Sequence, residues 1–165
     1  MVTNTQLGTF TDQGKDKILS LVEDHVIWNA MQLVHYANNV RPNPAGTKVG
    51  GHQSSSASIA TIMTSLFFEY MGKGDRISVK PHGSPVFHAI QYLLGTLDIS
   101  YMTELRAFHG LQAYPSQTKD PDGVDFSTGS VGFGPVAPNF ASIARSYARS
   151  HGFLGNADLE GSPRY

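Results

Sequence analysis

Arg76-Ile77-Ser78-Val79-Lys80-Pro81-His82-Gly83-Ser84-Pro85 is the stretch on which the fold turns. Ile77 and Val79 alternate with polar residues, the period of a half-buried strand. Pro81-His82-Gly83 breaks that run. Ser84 then has the chemistry of an N-cap, and Pro85 sits at the first helical position, where its missing N–H is not needed. The spacing predicts a strand over Arg76–Lys80 and a helix through Val86, Phe87, Ile90, Leu93 and Leu94, closed by Gly95. In a parallel sheet each strand is followed by a crossover helix, and ligands gather at the strand's C-terminal end. His82 lies at that end. One strand makes no sheet, so either the domain is mostly helical or its remaining strands lie beyond residue 165; the second, an α/β fold, is the expectation.

Working outward, Ile18, Val22, Val26, Ala30, Leu33 and Ala37 recur at spacings of three and four, which predicts an amphipathic helix from Lys15 to Asn38. Pro42 and Pro44 stop it. Ser54, Ser55 and Ser56 offer N-caps for a second helix running to Tyr70 and ended by Gly72 and Gly74. Downstream, a short helix is expected from Asp98 or Ser100 to Phe108, and a last one from Val136 to Ser150. Between them, residues 109–135 are rich in Gly, Pro, Ser, Thr and Asp, and a loop that long usually carries function. Residues 1–14 are expected to be a flexible leader, 15–152 one partial domain and 153–165 a tail.

The 165 residues suffice for one domain with a core. Twelve Lys+Arg against thirteen Asp+Glu leave a charge of −1, so no basic footprint for nucleic acid or an anionic membrane is present. There is no cysteine, which removes disulfides, thiolate zinc sites and cysteine nucleophiles. No apolar run approaches the ~20 residues of a membrane span. A cytoplasmic location is expected.

Four motifs could carry chemistry. Gly50-Gly51-His52 lets the backbone approach a ligand and places an imidazole at a helix entrance, although the same pattern suits an ordinary helix start. His82 would sit by free N–H groups at a helix N-terminus, as a hydrogen-bonding group or as a turn residue bonded within its own loop. Phe108-His109-Gly110 and Tyr114-Pro115 put His109 and Tyr114 on the long loop. Gly129-Ser130-Val131-Gly132-Phe133-Gly134-Pro135 is a glycine-rich ribbon entering a helix, able to wrap a phosphate or flat heterocycle. Gly132, Gly134 and Ala137 mimic a dinucleotide fingerprint, but no good strand precedes them, so that reading fails. His82 and His88 match no zinc spacing, and no metal-ligating residue is assigned. His35 and His88 fall in helical stripes and read as packing residues.

In this order, Trp28-Asn29-Ala30-Met31, Gly50-Gly51-His52, His82-Gly83-Ser84-Pro85, His109-Gly110-Leu111, Tyr114-Pro115 and Gly129–Pro135 resemble the N-terminal part of the homodimeric pyruvate dehydrogenase E1 family, within the transketolase-like thiamine diphosphate enzymes. The resemblance spans about Asp24 to Phe153. The chain is similar to transketolase over the same stretch, and the His82 loop with Tyr114-Pro115 favours the dehydrogenase. What this implies is the N-terminal part of a transketolase-like thiamine diphosphate-binding domain, a parallel sheet with flanking helices, truncated and helix-rich. It implies thiamine diphosphate and Mg2+ as cofactors, decarboxylation of pyruvate or another small 2-oxo acid, and acetyl transfer to a lipoyl-bearing acyltransferase.

By the same resemblance, His52 and His82 would line the catalytic pocket with Tyr114 near it. Gly129, Ser130, Val131 and Gly132 would pack on the coenzyme, Val131 against its pyrimidine. His52, His82 and the 129–134 ribbon are therefore expected to converge on one cavity. The family's glycine-aspartate-glycine metal motif, expected soon after Phe153, is not found in residues 154–165, and the activating glutamate belongs to a later domain. The expectation is a segment inactive alone, completed by the remainder of the enzyme and a homodimer partner. Its alternatives are a transketolase and a non-catalytic interaction domain.

Overall fold

The computed structural model describes residues 12–129, 131–154 and 164–165. Among these described residues four α-helices carry the architecture: α1 (Asp12–His35), α2 (Gln53–Ser65), α3 (Ser84–Leu93) and α4 (Phe133–Ser150). Most of the expected leader lies outside the described residues, and α1 already begins at Asp12.

Ile18 of the predicted stripe stays exposed, but α1 buries Val26, Ala30 and Leu33, with Val34 beside them and Ala37 just beyond its end. It does not stop at His35 but widens into a π turn, Tyr36–Val40, closed by Arg41 N–H donating to the Tyr36 carbonyl at 2.9 Å. Arg41 is extended (ψ 131°), as a residue before proline prefers. α2 ends the same way, in a π turn over Leu66–Tyr70.

α3 crosses both of them and is buried at every residue from Ser84 to Gln91. Its polar residues Ser84, His88 and Gln91 share one face and are buried with the rest, His88 bonded to Asp122 and Gln91 accepting from Thr96. Phe87 and Ile90 lie at its centre, each contributing roughly 1.5–3 kcal/mol by burial. Around α3 one core gathers Val26 and Ala30 of α1, Ala60 and Met63 of α2, and Val79. A second joins Leu33, Val34 and Ala37 to Leu97, Leu105 and Leu111.

The expected strand is the main correction, and the described residues are helix-rich, without the sheet. Arg76–Lys80 is extended but unpaired, and no β-strand occurs among the described residues; an isolated bridge joins Leu105 to Leu111. Val79 is buried and Ile77 packs on the first core. Alternation therefore reports one buried side, which a helical core supplies as well as a sheet does. The amides find other acceptors: Ile77 N–H donates to Asp125 Oδ2 and Arg76 N–H to the Arg164 carbonyl, both at 2.9 Å.

The helix expected up to Phe108 is a single 3-10 turn, Ile99–Thr103, capped by Asp98. Beyond it the chain doubles back so that Leu105 and Leu111 both enter the second core, with Arg106 N–H on the Leu111 carbonyl and Leu111 N–H on that of Glu104. Arg106 and His109 take positive φ to make that turn. The serine caps are absent too: His52 and Gly83 precede α2 and α3, and neither caps through its side chain. α4 begins three residues early, at Phe133 after left-handed Gly132, and so takes in Pro135, whose ring is tolerated in a first turn.

Candidate functional site

His52 reaches its place through a backbone arrangement that only glycine permits. Gly50 and Gly51 have φ of +93° and +118°, and a Cβ on Gly51 would come within 2.9 Å of the Val34 methyls. Asn38, in the π turn, clasps Gly50 from both sides. Its Nδ2 donates to the Gly50 carbonyl at 2.8 Å, and its Oδ1 accepts from the Gly50 N–H at 2.9 Å. Arg106 Nη1 donates to the Val49 carbonyl at 2.7 Å. The segment is thus held rigidly before His52 opens α2.

His82 lies in the 3-10 turn Pro81–Gly83 leading into α3. Gly83 packs directly on Ile59, close enough that a Cβ would strike its side chain, and this brings α3's entrance against α2. Buried Ser56 of α2 extends its hydroxyl toward the His82 carbonyl at 3.5 Å. The two imidazoles consequently meet, ring centroids 4.2 Å apart and planes tilted by 45°. His52 is exposed and His82 half-buried.

His82 also lines a cavity of about 680 Å³ together with Gly129, Gly132 and Gly134. Leu66, Ile77, Pro135 and Pro138 give it apolar walls, while Arg76, Lys80 and Arg164 bring positive charge. Gly129 and Gly132 have left-handed φ, and open space lies where their side chains would be. Ser78 Oγ is buried, has no hydrogen-bond partner and lies on the same wall. Asp75 is the cavity's carboxylate. The Arg164 side chain donates to it at 2.6 and 2.9 Å and the Arg164 N–H at 2.6 Å; these bonds hold it far below the usual carboxylate range. Arg164 donates to the Tyr70 carbonyl as well.

His52, His82, Gly129 and Gly132 are therefore gathered, His52 through its contact with His82. Tyr114 is exposed on the loop and is not among the lining residues, and Val131 points outward, 78% exposed. Ser130 lies outside the described residues. Sequence reasoning missed Ser78, whose position in a strand-like run gave no sign of an orphaned hydroxyl. It also missed that His88 pairs with Asp122, although a histidine amid the apolar residues of α3 was a usable signal.

What the fold and site define is a helical unit that offers His82, with His52 against it, and a glycine ribbon to one mixed cavity. No family model matches the chain. It is similar to the pyruvate dehydrogenase E1 components of Mycolicibacterium smegmatis (32% identical over 142 residues, 79% of this chain), Pseudomonas aeruginosa (31% over 148, 84%) and Cupriavidus necator (30% over 154, 88%). The chain spans about 15% of the length of these curated relatives. It is a homologue of one segment of the pyruvate dehydrogenase E1 components. Among the described residues, no helix is long and apolar enough to cross a membrane.

Proposed function

We propose that this chain forms one wall of the coenzyme and substrate site of a thiamine diphosphate-dependent 2-oxo acid dehydrogenase of the pyruvate dehydrogenase E1 type. The observation that carries the reading is the shared cavity of His82 and the glycine ribbon, with His52 against His82. Its volume suits a coenzyme-sized ligand. Gly129 and Gly132 would hold the coenzyme by letting it approach the backbone, and Ser78 Oγ offers an unused hydrogen bond. Lys80 and Arg76 suit a diphosphate. Magnesium fits less well: the cavity's one carboxylate among the described residues, Asp75, is already bound by Arg164, so a metal set would have to come from elsewhere.

When bound, thiamine diphosphate supplies the carbon nucleophile and the electron sink for decarboxylation. The work of this chain's residues is to orient and to exclude water. His52 and His82 would hydrogen-bond the carboxylate and carbonyl oxygens of a 2-oxo acid and steady the charge that shifts as carbon dioxide departs. The apolar walls formed by Leu66, Ile77 and Pro138 keep the site dry on one side.

The reading includes further polypeptide of the same enzyme, a second subunit and a lipoyl-bearing acyltransferase that takes the acetyl group. α4 supports the first of these, because Phe133, Val136, Phe140, Ile143 and Tyr147 form a stripe at helical spacing that none of the described residues buries. The test is decarboxylation of pyruvate by the full assembly with coenzyme and magnesium. His52→Ala is expected to lower turnover by about 10²–10⁴-fold. Activity on phosphorylated ketoses with none on pyruvate would replace the reading with a transketolase, and failure to bind the coenzyme would leave an interaction domain.

A further inference from the structure

Away from the cavity, His88 is fully buried in α3 with both ring nitrogens engaged. Nε2 lies 3.0 Å from the Gln112 carbonyl oxygen and Nδ1 2.7 Å from Asp122 Oδ2. A carbonyl only accepts, so Nε2 carries a hydrogen. In the neutral ring Nδ1 is then a lone pair facing a carboxylate oxygen, and two acceptors that close require a positive centre between them.

Three further observations say what kind. Asp122 Oδ1 is buried with no hydrogen-bond partner, in a side chain with no exposed surface. Asp120 brings a second carboxylate, so that one donor atom from each of His88, Asp120 and Asp122 lies within 4.8 Å of the others. Asp120 is fixed there, its two oxygens accepting from the Gln112 and Ser116 N–H groups at 2.7 Å each. A histidine whose outer N–H is bonded to a backbone carbonyl, with its inner nitrogen aimed at carboxylates, is oriented as metal-bound histidines are.

We propose that His88 Nδ1, Asp120 and Asp122 form a binding site for one divalent transition cation of the zinc class. An imidazole with two carboxylates and no sulfur suits such an ion, whereas calcium and magnesium prefer all-oxygen sets. Nitrogen and oxygen ligands of tetrahedral zinc stand about 3.3 Å apart, so loading opens the His88–Asp122 contact by a few tenths of an ångström, with a water as fourth ligand. His88 and Asp122 are buried and Asp120 is half-buried, so the site clasps the 112–122 loop to α3 and leaves one side for that water. It lies apart from the proposed coenzyme wall and does not depend on that reading.

The experiment is to strip the purified protein with a chelator, dialyse it against Zn2+ and then Co2+, and measure metal per chain together with the visible spectrum of the cobalt form. One equivalent is expected, with the cobalt bands of tetrahedral nitrogen and oxygen ligation. Asp120→Asn, which keeps acceptors for the loop amides, should weaken binding at least tenfold with the circular dichroism unchanged. Asp122→Asn should do the same. Stoichiometric binding equal in wild type and both variants would mean that surface histidines hold the metal. No binding by the stripped wild type would mean that a proton alone joins His88 to Asp122. Either result overturns the proposal.

Discussion

At Gly51 a Cβ would collide with Val34 and the φ of +118° would be strained for any side chain. Gly51→Ala is expected to destabilise the fold by about 1–3 kcal/mol, read as a lowered thermal midpoint. It should also displace His52, so that ring-proton contacts between His52 and His82 vanish from NMR spectra. At this scale the sequence was partly legible. Gly50-Gly51-His52 and His82 were identifiable as types of residue at element entrances. What could not be read is that Asn38 clasps Gly50 or that His88 finds Asp122, because such pairings join residues remote in the chain and leave no local period. Tyr114 and Val131 show the converse: both belong to motifs at the expected places, yet neither side chain reaches the cavity wall.

The helices were legible in their interiors and misread at their ends. The apolar spacing of α1, α2 and α3 is set by the core and shows through in sequence, whereas the π turns at Tyr36–Val40 and Leu66–Tyr70 are imposed by tertiary fit. Arg76–Lys80 misled because period two is a property of burial, not of strand pairing. α4 has the strongest apolar stripe exposed to solvent, with Phe140 67% and Ile143 63% accessible. Phe140→Ser is accordingly expected to change the unfolding free energy of this chain by less than about 0.5 kcal/mol in denaturant titration. In the full assembly proposed above, the same substitution should weaken association, measured by sedimentation.

Across the whole molecule, two cores on one run of helices leave a cavity between the π turn after α2, the 75–80 segment with the Pro81–Gly83 turn, and α4. Arg164 closes part of its rim by binding Asp75, a contact between distant parts of the chain that no sequence pattern announces. The lowered Asp75 carboxyl fixes the sign of its pH dependence. Its stabilising contribution is full above the unfolded carboxylate value of about 3.9 and is lost as pH falls through the lower folded value. The Arg164 amide resonance should therefore hold steady from neutrality to well below the ordinary carboxylate value of about 3.9, and Asp75→Asn should abolish the acid transition beneath it. Arg164 is 63% exposed, so added salt should weaken the contact.

The π turn at the end of α1 deserves its consequence at this same scale. A backbone step to the fifth residue back, in place of the fourth, advances the chain by one supernumerary unit, and Asn38 sits inside it. Its amide meets Gly50 from there, and Gly50 leads into His52. The aim of an imidazole at the cavity's edge is thus inherited from an over-count in a neighbouring helix. Tuning of that ring's bearing can come from residues that never touch a ligand.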